Sequence, residues 1–200
     1  MTGMQRILLL VGETFSKITS SYDKVNAPLY GDAGTATLIE KREGISYFDL
    51  DSDGSGYESV IIPAGGYRNP ATCENLTVEE KEDGNGRSDN QIYMDGMDVF
   101  NFALKVVPKS IKGMAEKINI SLTDIDYLVF HQANRFMTDF FVKKLKVDLT
   151  KIPYSVDKYG NTSSESIPLT IVSELAADKE DKKLIMCGFG AGLSWGTAYL

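Results

Sequence analysis

The stretch FHQANRFMTDFFVKKLKVDLTKIPYSVDKYGNTSS, residues 130–164, decides the fold of this chain. It contains the only histidine of the 200 residues, His131. An apolar run, YLVF at residues 127–130, precedes that histidine, and a helical pattern follows from Ala133. A short apolar run of this kind predicts a buried strand. We therefore expect His131 at the carboxyl end of a strand, where ligands bind in α/β sheets.

A second polar residue, Asn161, is expected in a similar place. The sequence IPYSV at residues 152–156 predicts another strand. It is followed by YGNTSS at residues 159–164, which combines a glycine turn with residues that cap helices. Asn161 is therefore also expected at a strand end.

Apolar runs and amphipathic patterns extend to both sides of this stretch. Strands are predicted at residues 7–11, 33–40, 184–187 and 193–200, and helices from residue 95 to about 114, at 133–145 and from 161 to about 177. The first run is apolar throughout, which is typical of a strand buried on both faces. Pro108 is expected to kink the first helix. The glycine-rich bend at 188–192 is too short for a crossover helix, so the last two strands are expected to be antiparallel. This order predicts a layered α/β fold.

A polar segment divides the chain. Residues 78–91 are almost wholly polar and are expected to form a surface excursion. We predict two units, residues 1–90 and residues 91–200.

Composition limits the classes of function. Hydrophobic residues make up 42% of the chain and charged residues 24%, with a net charge of −7, which disfavours nucleic acid or an anionic membrane as the main partner. From 131 to 146, however, four basic residues stand against one acidic residue, so this segment could bind an acidic partner or be a solvated helix face. The apolar run near the start is shorter than a signal peptide requires, which predicts a cytoplasmic location.

The sequence DLDSDG at residues 49–54 matches the first half of a calcium-binding EF-hand loop. The twelfth position, which must be a bidentate carboxylate, is Val60, and strand-like rather than helical runs flank the loop. An exposed turn is the better interpretation, and no metal site is predicted.

The motifs HQAN (131–134) and GNTS (160–163) resemble the two C-terminal active-site motifs of the type III β-ketoacyl-acyl carrier protein synthases, which are thiolase-like condensing enzymes. Three further stretches agree with that family: LYGDAGTA at 29–36, PAGGYRNP at 63–70 and GFGAGLSWG at 188–196. The N-terminal third of the family pattern, which contains the nucleophilic cysteine, has no counterpart in these 200 residues. The resemblance thus implies a partial thiolase-like fold, comprising the end of the N-terminal half and a complete C-terminal half.

The resemblance also implies roles for individual residues. His131 and Asn161 would donate hydrogen bonds to the enolate oxygen, and the backbone of Ala191 would stabilise a second oxyanion. Lys143 and Lys144 match basic positions that contact acyl carrier protein. The family arginine expected at position 136 is replaced by phenylalanine, with Arg135 one position earlier. The implied substrates are acyl-coenzyme A and malonyl-acyl carrier protein, without a cofactor, in a homodimer.

Two alternatives remain open at this point. Cys187, His131 and Asn161 are the residue types of a thiol hydrolase, although Cys187 lies in an apolar run where burial would keep the thiol inert. Alternatively, the chain could be a non-catalytic domain that binds carrier protein or pairs with another subunit. Neither Cys73 nor Cys187 is expected to form an acyl-enzyme.

Overall fold

The computed structural model describes residues 3–176 and 181–200 of the chain. Its strands are β1 (Arg6–Glu13), β2 (Ala33–Glu40), β3 (Tyr47–Ser52), β4 (Val60–Ile61), β5 (Glu79–Glu80), β6 (Gly86–Arg87), β7 (Tyr93–Met94), β8 (Tyr127–Phe130), β9 (Leu184–Gly190) and β10 (Ser194–Tyr199). Its helices are α1 (Gly96–Lys117), α2 (Arg135–Leu145), α3 (Val156–Tyr159) and α4 (Ser166–Glu174). The architecture is mixed α/β, as predicted.

The central element is a four-stranded sheet with the strand order β3-β10-β9-β8. Strands β8 and β9 are parallel, whereas β9 and β10 are antiparallel, as their short connection predicted. Buried residues alternate along β9, because one face of that strand packs against helices. On the opposite face β3 exposes its apolar side chains, and Leu50 is 81% exposed.

Helices α1 and α2 cover the buried face of the sheet and form the core with it. Apolar residues of α1 recur every three or four positions, and Ala103, Val107 and Ile111 are fully buried. The Asp95 side chain caps this helix by accepting hydrogen bonds from two backbone amides of its first turn. The helix continues through Pro108, which is buried.

The strand β1 forms where it was predicted, but its burial does not match the prediction. It pairs only with β2, in an antiparallel ribbon. Leu8, Leu10 and Leu38 are 59%, 67% and 58% exposed on one face of this ribbon. The expectation of a strand buried on both faces was wrong, because no described element covers that face.

Two further local predictions were wrong. Residues 152–156 form no strand, because the backbone amides of Ser155 and Val156 donate to the buried side chain of Gln132 instead of to a neighbouring strand. The segment at residues 49–52 is not a turn, since it belongs to β3, which pairs with β10. Among the described residues no group of three or more metal-ligating side chains is arranged to hold an ion.

The polar segment is only partly a surface excursion. Strands β5 and β6 form a hairpin whose end docks against the chain near residue 20, where the Ser20 hydroxyl donates to the Gly86 carbonyl. Arg87 is buried there beside Asp23 and Asp83. The division at residue 90 stays a prediction, although β3 from the first predicted unit belongs to the main sheet.

The helix that was expected to reach Ala177 ends at Glu174 among the described residues, and residue 177 lies outside them, as do 178–180 of the charged segment that follows. None of the helices in residues 3–176 and 181–200 is both long and apolar enough to cross a lipid bilayer.

Candidate active site

A cavity of about 340 Å³ lies where the carboxyl ends of β8 and β9 meet the loop before α4. His131, Asn161 and Ala191 all line this cavity, so the structure brings the three predicted site residues together. Apolar side chains supply most of the remaining wall, including Tyr30 and Phe189. A largely apolar cavity with a few convergent polar groups is the usual form of a small-molecule site.

His131 lies directly after β8, as the sequence predicted. Its backbone amide donates to the Cys187 carbonyl of β9 at 2.8 Å, which extends the parallel pairing by one residue. Its ring Nδ1 lies 2.6 Å from the Ser166 hydroxyl, and the ring packs edge-on against Phe189 at 5.2 Å. Burial lowers the pKa of His131 from 6.5 to about 4, against an opposing hydrogen bond with the Ser163 backbone. The imidazole is therefore neutral at pH 7.

Asn161 reaches the cavity by a route that the sequence did not predict. It is not at the end of a strand: it follows the short helix α3 and pairs in a single parallel bridge with Tyr30. The backbone amide of Asn161 donates to the Leu29 carbonyl at 2.9 Å, and the backbone carbonyl of Asn161 accepts from the Gly31 amide at 3.0 Å. A segment 130 residues earlier in the chain thus holds this backbone in place.

Two glycines permit that close contact. A Cβ atom on Gly31 would lie 1.9 Å from the Tyr159 carbonyl oxygen, so no larger residue fits there. Gly160 has a φ of +70°, and a Cβ atom there would meet the Leu29 carbonyl at 2.9 Å. The conformation of the loop depends on both glycines.

The Asn161 side chain is oriented as a donor. Its Oδ1 accepts from the Ser163 amide at 2.9 Å, which directs the Nδ2 group away from that amide. Nδ2 has no hydrogen-bond partner among the described residues. A neutral amide N–H and a neutral imidazole N–H can stabilise an oxyanion at this cavity without forming an ion pair.

Ala191 contributes its backbone. It follows β9 in the bend before β10, and its amide donates to no carbonyl of the described residues. The amide is thus free to donate to a bound oxyanion.

The predicted carrier-binding residues lie outside the cavity on α2. Arg135 is engaged within the chain, since its guanidinium pairs with Asp157 and Asp139 and lies 3.9 Å above the Tyr154 ring. Lys144 Nζ donates to the Leu104 carbonyl at 3.1 Å. Lys143 is exposed and forms no ion pair with a described residue.

Neither cysteine lines the cavity. Cys73 is exposed elsewhere, and Cys187 is 1% exposed on β9, facing the helices. Burial raises the pKa of the Cys187 thiol from 9 to about 11, even though Thr197 donates a hydrogen bond to its sulfur. This thiol is not placed to act as a nucleophile at the site.

Sequence reasoning missed three features of this site. Tyr30 forms part of the wall, and burial raises the pKa of its hydroxyl to about 12. Ser166 contacts the histidine ring, but a serine in the first turn of a helix is easily read as a cap. Glu165 is fully buried beside the site, and neither of its carboxyl oxygens has a hydrogen-bond partner among the described residues.

Comparison with known proteins identifies the fold. A family model described as 3-oxoacyl-[acyl-carrier-protein (ACP)] synthase III C terminal matches residues 115–200. A second, described as 3-oxoacyl-[acyl-carrier-protein (ACP)] synthase III, matches residues 1–54. Together they cover most of the residues that line the cavity, including His131, Asn161 and Ala191, while residues 55–114 lie between the two matches.

Individual relatives agree. A putative 3-oxoacyl-[acyl-carrier-protein] synthase 3 from Campylobacter jejuni is 38% identical over 204 residues, covering all of this chain and 56% of the relative. A β-ketoacyl-[acyl-carrier-protein] synthase III from Clostridioides difficile is 38% identical over 202 residues, covering 98% of this chain and 59% of the relative.

Solved structures give the same result. One 3-oxoacyl-(acyl-carrier-protein) synthase III superposes with a TM-score of 0.92 at 33% identity, over 98% of this chain and 60% of that chain. A 3-oxoacyl-(acyl-carrier protein) synthase from Burkholderia xenovorans superposes with a TM-score of 0.87 at 37% identity, over 98% of this chain and 56% of that chain. The chain thus spans somewhat more than half the length of the relatives it matches. The fold is thiolase-like, as predicted, and the chain belongs to the 3-oxoacyl-[acyl-carrier-protein] synthase III family.

Proposed function

We propose that this chain carries the enolate-stabilising part of the active site of a 3-oxoacyl-acyl carrier protein synthase III, in fatty acid or related acyl-chain synthesis. The reaction joins an acyl group from acyl-coenzyme A to malonyl-acyl carrier protein with loss of carbon dioxide. One observation carries the proposal: His131 and Asn161, both neutral donors, line one cavity together with a free backbone amide.

The donors suit the charge that develops in this reaction. When the malonyl carboxylate leaves as carbon dioxide, the electrons of the broken C–C bond move to the α-carbon and the thioester oxygen. Hydrogen bonds from His131 Nε2 and Asn161 Nδ2 would stabilise that enolate oxygen. The enolate carbon then attacks the acyl carbonyl, whose oxygen would accept from the Ala191 amide until the acyl group's thiolate leaves.

The chain's own cysteines do not suit the acyl-holding step. That step needs a thiolate close to the donors, and neither Cys73 nor Cys187 lines the cavity. We therefore expect these 200 residues to form no acyl-enzyme and to perform, at most, slow decarboxylation of a malonyl thioester.

Conversion of malonyl-coenzyme A to acetyl-coenzyme A, followed by liquid chromatography and mass spectrometry, tests the proposal. The unaltered chain should exceed the rate in buffer, and His131→Ala or Asn161→Ala should each lower that rate by about 100-fold or more, or to the buffer rate. Cys73→Ser is the matched control and should leave the rate unchanged. Equal rates for all four proteins would contradict the proposal.

The non-catalytic alternative rests on a specific observation, that neither thiol belongs to the lining of the cavity. In that case the chain would bind carrier protein or pair with another subunit without turnover. Intact-protein mass spectrometry after incubation with acetyl-coenzyme A separates the possibilities. We expect no adduct, whereas a stable acetyl group on Cys187 would overturn this reading and revive the thiol hydrolase.

We further propose acyl carrier protein as the partner of α2. Because Arg135 is paired within the chain, recognition of the acidic carrier would depend mainly on Lys143 and Lys144. Exposed charge pairs of this kind weaken as salt is raised.

Charge reversal on α2 tests this partner. Lys143→Glu combined with Lys144→Glu should weaken carrier binding, measured by titration calorimetry at low salt. Lys24→Glu combined with Lys112→Glu changes the net charge equally, away from α2, and should have a smaller effect. Equal affinity for the unaltered chain and the α2 variant would show that these lysines are only a solvated face.

We also propose that the chain forms a homodimer and is located in the cytoplasm. The exposed apolar faces of the β1–β2 ribbon and of β3 are consistent with an assembly larger than one chain. Sedimentation velocity would test the dimer, and a single monomeric species at micromolar concentration would contradict it.

A further inference from the structure

The side chain of Gln132 joins the two segments that carry the donors of the cavity. Gln132 follows His131 directly and is fully buried, and it does not line the cavity itself. Its Oε1 accepts hydrogen bonds from the backbone amides of Ser155 at 3.1 Å and Val156 at 3.3 Å. Its Nε2 donates to the Phe130 carbonyl at 2.9 Å. One side chain therefore connects the end of β8 with the start of α3.

The backbone partners fix the orientation of this side-chain amide. Two of them are N–H donors and the third is a carbonyl acceptor, so the reversed orientation would set the NH₂ group against two donors and the oxygen against an oxygen. Gln132 is 0% exposed and is absent from the cavity wall, so bulk water does not compete for these contacts. Leaving buried partners of this kind unpaired is strongly disfavoured. The contact therefore holds the two segments at a defined separation.

The helix α3 transmits this constraint to Asn161. The Ser155 side chain does not cap the helix, so the Gln132 oxygen accepts from its first amides instead. The Val156 carbonyl in turn accepts from the Gly160 amide at 2.9 Å, and Asn161 is the next residue. Because α3 is a single turn, a shift of its first residue moves Asn161 as well. The contacts with residues 29 and 31 hold Asn161 from the other side, so loss of Gln132 should displace it without releasing it.

A second contact joins the same two segments at the surface. The Arg135 guanidinium, at the start of α2, pairs with the Asp157 carboxylate of α3. These side chains are 50% and 59% exposed, and exposed ion pairs contribute little because water and salt screen them. The buried contact of Gln132 is therefore the one that sets the spacing.

We propose that Gln132 is a positioning residue that sets the separation between His131 and Asn161. The value of this role to catalysis rests on the proposed function, in which both side chains donate to one enolate oxygen. A misplacement of about 1 Å can lower a rate about 100-fold. Gln132 itself touches no substrate, so its loss should affect turnover more than binding.

Amide hydrogen exchange tests the contact without any substrate. In the unaltered chain the Ser155 and Val156 amides should be protected from exchange with deuterium. In Gln132→Met, which keeps the length of the side chain but not its amide group, both should exchange about 10-fold faster or more, and the Ala103 amide within α1 should change less. Unprotected Ser155 and Val156 amides in the unaltered chain would overturn the proposal, whether or not the variant folds.

Turnover tests the effect on the donors. If the unaltered chain decarboxylates malonyl-coenzyme A, Gln132→Met should lower kcat about 10- to 100-fold and change KM by less than about twofold. Asp157→Asn removes only the exposed contact, and Val107→Ala loosens the buried face of α1 away from both segments. Each should leave kcat nearly unchanged. A folded Gln132→Met with unaltered kcat would contradict the proposal, and so would an equal loss of kcat in Val107→Ala.

The conservative variant Gln132→Glu separates the hydrogen bonds from packing. A protonated carboxyl group can accept from the same two amides and donate to the Phe130 carbonyl, whereas the ionised group has no donor. The kcat of this variant relative to the unaltered chain should therefore rise as the pH is lowered from 8 to 6. A variant as slow as Gln132→Met at both pH values would count against the hydrogen bonds as the cause.

The nuclear magnetic resonance signals of the Asn161 side-chain amide distinguish failure of this inference from failure of the proposed function. They should shift in Gln132→Met and stay in place in Asp157→Asn. If they shift but the unaltered chain performs no decarboxylation, the proposed function fails while the role of Gln132 stands. Unshifted Asn161 signals in a folded Gln132→Met would overturn that role even if the unaltered chain is active.

Discussion

Keeping the buried His131 ring neutral lowers the stability of the folded chain at acidic pH. The unfolded chain binds a proton on this ring below about pH 6.5, whereas the folded chain does so only below about pH 4. Between these values the unfolded state holds more protons, so folding stability rises with pH and is lost as the pH falls from 6.5 to 4. The donor role and the acid sensitivity thus have one origin, the burial of the ring.

We expect the free energy of unfolding to fall by roughly 1 to 2 kcal/mol between pH 7 and pH 5 because of His131 alone, allowing for the part of the ring that faces the cavity. Urea unfolding of the unaltered chain and of His131→Gln at both pH values isolates this share, because other groups contribute equally to the two proteins. The same pH dependence in both proteins would refute the assignment.

Glu165 is a second buried group whose charge is unfavourable. Burial raises the pKa of its carboxyl and the nearby Glu13 raises it further, against weaker opposing contacts with its own backbone and with the Ser164 side chain. Neither carboxyl oxygen makes a well-formed hydrogen bond with a described residue. Replacing it with an apolar side chain of similar size removes the cost of burying an unpartnered carboxyl.

Glu165→Met is therefore expected to raise the free energy of unfolding at pH 7 by about 1–3 kcal/mol. Because the folded state keeps its proton to higher pH than the unfolded state, this gain should shrink in acid. Chemical denaturation at pH 5 and pH 7 measures it, and Glu74→Met is the control at an exposed carboxylate away from Glu165. A loss of stability at pH 7 would mean that Glu165 has a favourable partner.

At the scale of elements, helix α1 is positioned by its cap. Asp95 accepts from the amides of Met97 and Asp98 and thereby fixes where the helix begins. The first turn brings Val99 to the wall of the cavity. A local contact in the chain thus affects the shape of the site.

Asp95→Ala should lower the free energy of unfolding by about 1 kcal/mol, as is typical for the loss of an N-cap. Thermal or urea unfolding followed by circular dichroism measures the change. Asp95→Asn keeps an acceptor at the cap and should recover most of the stability. An alanine variant as stable as the unaltered chain would contradict this account.

The elements that sequence could predict are those whose pattern is local. The run at 127–130 became β8, and the spacing of apolar residues after Asp95 predicted most of α1. The prediction of a strand at 152–156 was wrong because a strand needs the edge of another strand to pair with. The Ser155 backbone amide donates to the Gln132 side chain instead. The same limit applies to the site: HQAN and GNTS identified His131 and Asn161, but the contact with Leu29 joins residues too far apart in sequence to predict.

At the scale of the whole molecule, the β1–β2 ribbon exposes much of its apolar surface to solvent. One face exposes Leu8, Leu10 and Leu38, and both outer edges lack a pairing strand among the described residues. Exposed apolar faces and open edges promote association. The burial of β1 could not be read from its sequence, because burial depends on what packs against it.

Leu8→Lys combined with Leu38→Glu should reduce binding of the dye ANS, which reports exposed apolar surface, and should lower aggregation in light scattering. These positions face each other across the ribbon, so opposite charges there are compatible with pairing. Leu149→Lys alters an exposed leucine outside the ribbon and should change both readings less. An unchanged dye signal in the ribbon variant would show that this face is covered.

The backbone hydrogen bonds of Gly31 and Asn161 also make it possible to measure how often the segments that contain these residues separate. Their amide protons are each held by a carbonyl 130 or more residues away, so neither can exchange with deuterium until the two segments separate. Both amides should therefore exchange at one common rate, slower than that of the nearby Ser164. Two amide signals thus report how often the early and late parts of this chain come apart.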